Sequence, residues 1–234
     1  MNRTLFALAA IALLAVPVVT KGQADTRPTV AVLPLNNGAI QPELAPLSKG
    51  FEDMLITQLA MNTKIRVVER AHIQKILEEQ RLGVSGQVDP QTAARIGKIL
   101  GARYMVTGGF ITNPSKMMTI NLRVIDVETT QIIFTDGSAQ GPVDKLMDLI
   151  VKSSDVLNTK LNLPQLPPGP ARDQANATTE KNKKMPLATA MLYAKAIEAQ
   201  DAGKKDEART LYKQVVDKFP YQPAQDALNA LNKQ

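Results

Sequence analysis

The sequence predicts an α/β fold, a mixed sheet with flanking helices, followed by a small α-helical segment. Three observations carry this reading. Up to residue 163, short β-branched runs and helix-period segments follow in the order β-α-β-α-α-β-β-β-α. The last three strands are joined by connections too short for a crossover, so they are antiparallel neighbours. A proline-rich stretch over 164–184 then leads to a purely helical end.

Each element has its own local cause. Residues 29–35 are β-branched and apolar and read as a buried strand ended by Pro34. Asn36-Asn37-Gly38 turns the chain. Leu47, Phe51, Met54, Leu55 and Leu59 share one face of a helix that tolerates Pro46 in its first turn. Residues 65–69 form a second strand, and Ile73, Ile76 and Leu77 line a second helix ending near Gln80-Arg81. A loop over 83–88 follows. Asp89-Pro90 supplies an N-cap and a first-turn proline, and Gly101 ends that third helix. Strands are expected over 104–112, over 118–124 and over 131–135. In the second, Met118, Ile120, Leu122 and Val124 alternate with Thr119, Asn121 and Arg123. Val143, Leu146, Met147, Ile150, Val151, Leu157 and Leu161 give a long amphipathic helix.

The amino terminus reads as an address. Asn2-Arg3-Thr4 is basic, residues 5–19 are nearly all apolar, and Gln23-Ala24 ends in a small residue suited to cleavage. Residues 1–24 are therefore expected to be a cleaved signal peptide directing export to the periplasm. The 234 residues carry 28 Lys and Arg against 22 Asp and Glu, a net charge of +6. Loss of Arg3 and Lys21 with the signal lowers that excess, and what remains is scattered. Lys181, Lys183 and Lys184 form one short basic run without interleaved aromatics, which argues against nucleic acid. Membrane association is expected to be peripheral at most. With 0 Cys, disulfides, thiolate metal sites, a cysteine nucleophile and an acylated cysteine are excluded. With 1 His, a multi-histidine metal centre is excluded.

The expected organisation is an α/β domain over 25–163, a flexible linker over 164–184 and a helical segment over 185–234. In that segment Leu192, Ala196, Ala199, Gly203, Ala208, Tyr212 and Pro220 resemble one tetratricopeptide repeat, with Lys195 standing where an apolar residue is usual. A single unit of this kind buries too little by itself, so it must lean on the first domain, a second copy or a partner.

No catalytic constellation emerges. His72 stands alone in the first turn of a helix. Ser85, in Gly83-Val84-Ser85-Gly86, is not preceded by a strand and is not a nucleophile elbow. Glu78 and Glu79 point about 100° apart and cannot share a substrate. Gly108-Gly109 lies within a strand, and no phosphate-cradling glycine motif occurs. The chain is read as a non-enzyme with no cofactor.

Val30-Ala31-Val32-Leu33-Pro34-Leu35, Val67-Val68-Glu69-Arg70, Ile76-Leu77-Glu78-Glu79-Gln80, Leu82-Gly83-Val84-Ser85-Gly86, the run 93–102 and Val106-Thr107-Gly108 occur in that order. Together they resemble the curli-secretion-channel family, the CsgG/HfaB-like periplasmic domains, whose fold is akin to the amino-terminal domain of TolB. The resemblance implies an envelope protein that associates with itself and with other envelope proteins. Two departures qualify it. The curli channel is a lipoprotein and builds its pore from long hairpins, whereas this chain has no cysteine and only Asn113 to Lys116 at one insertion point.

The expected function is therefore a periplasmic adaptor or scaffold in envelope assembly, a homo-oligomer that binds protein partners. A secretion-channel subunit and a small-ligand or glycan-binding module are the alternatives. The candidate interaction residues fall in three places. Val84, Ser85 and Gln87 lie in the loop that the resemblance associates with subunit packing. Glu69 and Arg70 lie at a strand-to-helix junction, as an ion pair or a subunit contact. Tyr193, Ile197, Tyr212 and Tyr221 form either a concave binding face or the hairpin's own core.

Overall fold

A computed structural model describes residues 25–38, 42–80 and 88–233. The chain forms β1 (Thr29–Val32), β2 (Asn36–Asn37), α1 (Leu47–Ala60), β3 (Arg66–Val67), α2 (Arg70–Glu79) and α3 (Pro90–Leu100). The hairpin strands β4 (Tyr104–Thr112), β5 (Met117–Asp126) and β6 (Ile132–Pro142) follow, then α4 (Leu146–Lys160). The C-terminal helices are α5 (Pro170–Asn182), α6 (Leu187–Asp201), α7 (Lys205–Lys218) and α8 (Gln222–Asn232).

The sheet is mixed, as the sequence predicts, with strand order β3-β1-β4-β5-β6 and β2 paired to β4. β1 runs parallel to β3 and β4, and β4-β5-β6 are antiparallel. Alternation along β4 sends side chains to opposite faces. Phe110 faces α1, where its ring stacks on Phe51 with centroids 6.4 Å apart. Met105 faces the other way, against α3. There Gly97 admits the sheet: a Cβ on it would stand 2.5 Å from Val127 Cγ2 and 2.8 Å from Met105 Cγ.

The cap signals operate as read. The Asp89 side chain accepts hydrogen bonds from the backbone N–H of Gln91 and Thr92, each at 3.0 Å. Gly101 takes the left-handed conformation, φ 63°, and the N–H of Ala102 closes on the Gly97 carbonyl at 2.9 Å.

Two expectations need correction. The third hairpin strand is not confined to 131–135 but runs to Pro142, paired with β5 from Met117↔Pro142 to Ile125↔Ile132. Residues 136–142 lack alternation, so only the neighbouring strand supplies their extended conformation, and a register shift opposite Ile120/Asn121 accommodates them. The stretch 164–184 is not an extended linker throughout, because 170–182 is helical. Pro170 opens α5 at its first helical position, and the prolines confine irregular backbone to the residues before it. α5 is polar almost all round and presents Thr179 to α1, where its hydroxyl accepts from Gln58 Nε2 at 2.9 Å. The helices beyond it lean on the first domain, one of the three supports the sequence left open. α6 packs along α1, and its apolar residues belong to the same continuous core as the sheet.

Candidate functional site

The two faces of the sheet are covered unequally. On the α1 and α4 side, Met118, Ile120, Leu122 and Val124 of β5 are all buried. On the other side α3 covers only the end carrying Met105 and Ile125. Beyond it, the cross-strand pairs Thr107↔Arg123, Gly109↔Asn121 and Ile111↔Thr119 lie on the half of the face that no described helix covers, here called the open half, with Thr107 buried at its floor. Ile111 is 51% exposed. This half forms a groove of about 490 Å³ between the sheet and the start of α3.

Close backbone packing makes the groove. At Gly108 (φ 151°) a Cβ would meet the Asn121 carbonyl oxygen at 2.1 Å. At Gly109 a Cβ would meet the Asn36 carbonyl oxygen at 2.6 Å, where β2 crosses onto β4. The walls therefore combine main chain with a few side chains. Val88 and Ile111 are apolar, Thr107, Asn121 and Thr135 offer hydrogen bonds, and Arg123 is the cation. Asp89 stands at one rim with its carboxylate committed to capping α3, and those hydrogen bonds from Thr92 and Gln91 hold its pKa down. The groove is suited to recognising a surface with mixed apolar and hydrogen-bonding character. It holds no nucleophile paired with a base, and no group of three or more potential metal ligands occurs among the described residues.

The predicted site residues fare differently. Val84, Ser85 and Gln87 lie outside the described residues. Glu69 is exposed and precedes α2 without a side-chain cap. Arg70 is not paired with it. Its guanidinium crosses to α6 and donates to Asp201 at 2.6 and 3.1 Å, with Nε 3.6 Å from Asp53. Lys49 donates to the same Asp201 carboxylate at 2.6 Å. Burial works to raise the Asp201 pKa, but the hydrogen bonds and charges of Arg70 and Lys49 outweigh it and hold it below the usual value.

Tyr193, Ile197, Tyr212 and Tyr221 do not form a binding face. They are 3%, 2%, 2% and 1% exposed and make the core of the C-terminal helices. Tyr193 meets Tyr212 and Tyr221 edge-on, with centroids 5.9 and 5.0 Å away. Its hydroxyl donates to Asp53 at 2.5 Å, and the Tyr212 hydroxyl donates to Gln200 at 2.7 Å. Burial drives the Tyr193 pKa well up, and burial likewise raises that of Asp53 against the Tyr193 hydrogen bond and the Arg70 charge.

Residues the sequence reading left out are Ile111, Asn121 and Arg123 in the groove, and Glu52 and Asp201 beneath α6. The polar positions of β5 mark a face away from the main core, but nothing in one strand shows that α3 stops short of it. Glu52 sits in an otherwise regular helix, and its burial depends on α2 and α6 closing around α1.

A family model described as "Curli production assembly/transport component CsgG" matches residues 13–117, just under half of the chain. No curated protein matches. Among solved structures, the LpoB C-terminal domain from Salmonella enterica is similar at 19% identity and a TM-score of 0.39. That match covers 49% of this chain and 81% of the domain. E. coli LpoB, solved by NMR, is similar at 16% identity and a TM-score of 0.39, covering 59% and 83%. TolB from Acinetobacter baumannii is similar at 15% identity and a TM-score of 0.35, covering 59% of this chain and 28% of TolB. TM-scores below 0.5 leave the family match as the informative comparison.

Proposed function

We propose that this chain is a non-enzymatic adaptor of the bacterial cell envelope. In this reading it docks a protein partner, or a second copy of itself, on the open half of its sheet. The observation that carries it is the family match over residues 13–117, which spans β1 to β4 and so includes one wall of the groove. The groove supports docking by its composition. It combines backbone edges, an exposed isoleucine and an arginine with no acidic partner among the described residues. Arginine and large apolar side chains in such a setting serve as interface anchors. The C-terminal helices, seated on α1, leave this face uncovered.

α6 is held to α1 and α2 by ion pairs and core packing, so the tail is not a second site swinging on a linker. The test is photo-crosslinking in intact cells, with the crosslinker at Ile111 or Arg123 and, as control, at the exposed Lys213 of α7. Discrete adducts with envelope proteins from the two groove positions, absent from the control, are expected. Identical patterns from all three positions sink the assignment of the groove. Recovery of the protein in the cytosolic fraction sinks the envelope placement.

A further inference from the structure

Glu52 is fully buried on α1, and neither carboxylate oxygen has a hydrogen-bond partner among the described residues. An aliphatic side chain would fill that position without the desolvation, so the carboxyl calls for an explanation. The charged groups acting on it are Arg70 of α2, Lys49 and Asp53 of α1, and Asp201 of α6, with Arg70 the strongest of them. The other elements around α1 offer no competitor. β1 and β2 carry no titratable side chain, Arg66 of β3 is exposed beside Asp25, and Asp148, Lys152 and Asp155 of α4 gather beside Lys183. Arg70 does not hydrogen-bond Glu52 because Asp201 holds its guanidinium from above.

We propose that Arg70 is a two-position clamp. It grips Asp201 while α6–α8 is seated on α1, and turns to Glu52 when α6–α8 lifts away. The C-terminal helices then act as a releasable cover over one side of α1. Three observations support the exchange. Within the shared core, Tyr193, Tyr212 and Tyr221 pack edge-on against one another across α6, α7 and the start of α8, so these helices hold together as a body. Its contact with α1 is made through small residues, with Gly50 against Ala194. Its polar anchors, Asp201 and Tyr193, both answer to groups on α1 and α2. Each state then leaves a different carboxyl without the guanidinium, which is how one residue can set two discrete arrangements.

The exchange is linked to a proton. Seated, Glu52 is buried without a counter-ion, and burial favours its neutral form. Released, it faces Arg70 and is ionised. Lifting the cover therefore frees the Glu52 proton, which makes release about tenfold more favourable for each pH unit up to the seated-state pKa, and Asp53 and Glu198, whose pKa values burial also raises, add to that slope.

Hydrogen exchange on the full chain tests this, with rates divided by the intrinsic rate at each pH. As pH rises above the ordinary glutamate value of 4.5, amides of α6–α8 should open together, ahead of β4 and β5, with at least that tenfold slope. Glu52→Gln keeps the shape but cannot ionise, and should flatten the slope by about tenfold per pH unit, leaving only the share of Asp53 and Glu198. Arg70→Lys keeps the charge but loses the two-pronged grip on Asp201. It should raise release at least tenfold while the slope persists. It also serves if Glu52→Gln fails to fold. A slope unchanged in Glu52→Gln overturns the proposal. So does protection of α6–α8 that is lost only together with that of β4 and β5, or an Arg70→Lys variant that opens no more than the wild type.

Discussion

Gly50 of α1 and Ala194 of α6 touch so closely that a Cβ on Gly50 would stand 2.5 Å from the Ala194 Cβ and 3.1 Å from its Cα. A glycine in mid-helix normally costs about 1 kcal/mol relative to alanine. Here the missing side chain lets the C-terminal helices reach Lys49, Asp53 and Arg70, and that contact decides how the two parts of the chain share one core.

Gly50→Ala should therefore destabilise the protein, against its helix propensity. The loss expected from overpacking is about 1–3 kcal/mol, with Gly50→Val worse. Urea unfolding of the two variants measures it. A gain in stability for Gly50→Ala would mean that α6 is free to shift outward at little cost.

Asp201→Asn should remove the charged half of the clamp at neutral pH, a loss of about 2 kcal/mol for hydrogen bonds to charged groups. The pH dependence has a definite sign. The folded-state pKa of Asp201 lies below its ordinary 3.8. Its stabilisation is thus complete above 3.8 and is lost as pH falls through the lower, folded-state value. Urea midpoints followed from neutral pH into acid should show wild type and variant converging in that acid range. Parallel curves would show that Asp201 contributes nothing through its charge.

Tyr193→Phe deletes the hydroxyl that donates to Asp53 and leaves the aromatic cluster in place. The expected cost is about 1–2 kcal/mol, mostly from the half-buried carboxylate that loses a donor. Asp53 should then bind its proton more readily, since the hydrogen bond that lowers its pKa is gone. NMR titration of the Asp53 carboxyl carbon would show the midpoint moving up, and no movement would argue against the bond.

Gly108→Ala and Gly101→Ala should differ sharply although both glycines have positive φ. At Gly101 nothing lies within 4 Å of a new Cβ, so only the left-handed conformation is penalised, by about 1 kcal/mol. At Gly108 the new atom would collide with the Asn121 carbonyl in the β4–β5 ladder. The ladder must part, and thermal unfolding should show a loss several times larger. Equal effects would place the β4–β5 pairing elsewhere.

Arg123→Glu and Ile111→Asp alter exposed groove positions and should leave thermal stability within about 0.5 kcal/mol. Both should weaken crosslinking of envelope proteins to the groove. Destabilisation on that scale or beyond would assign these side chains to the fold instead.

Local patterns were legible where one element contains its own cause. Asp89-Pro90 and Gly101 bound α3 because a cap acts through backbone groups a few residues away. The alternation of β5 from Met118 to Val124 marks which side chains enter the core. The short hairpin connections determine antiparallel pairing, and the β-α-β order requires a mixed sheet. The remainder depends on residues far apart in sequence. The extension of β6 to Pro142 needs β5 beside it, since its own residues do not alternate. The helix over 170–182 is polar and gains its seat only through contacts such as Gln58 with Thr179, 121 residues away in sequence. Arg70 looks like the partner of its neighbour Glu69, yet it belongs to Asp201, 131 residues later. The tyrosines read as a binding face or a core according to whether α6–α8 stands alone, and their packing into the common core decides it. Capping and alternation are short-range and written in adjacent residues. Burial, charge pairing and the open half of the sheet depend on which surfaces meet, and only the folded chain specifies that.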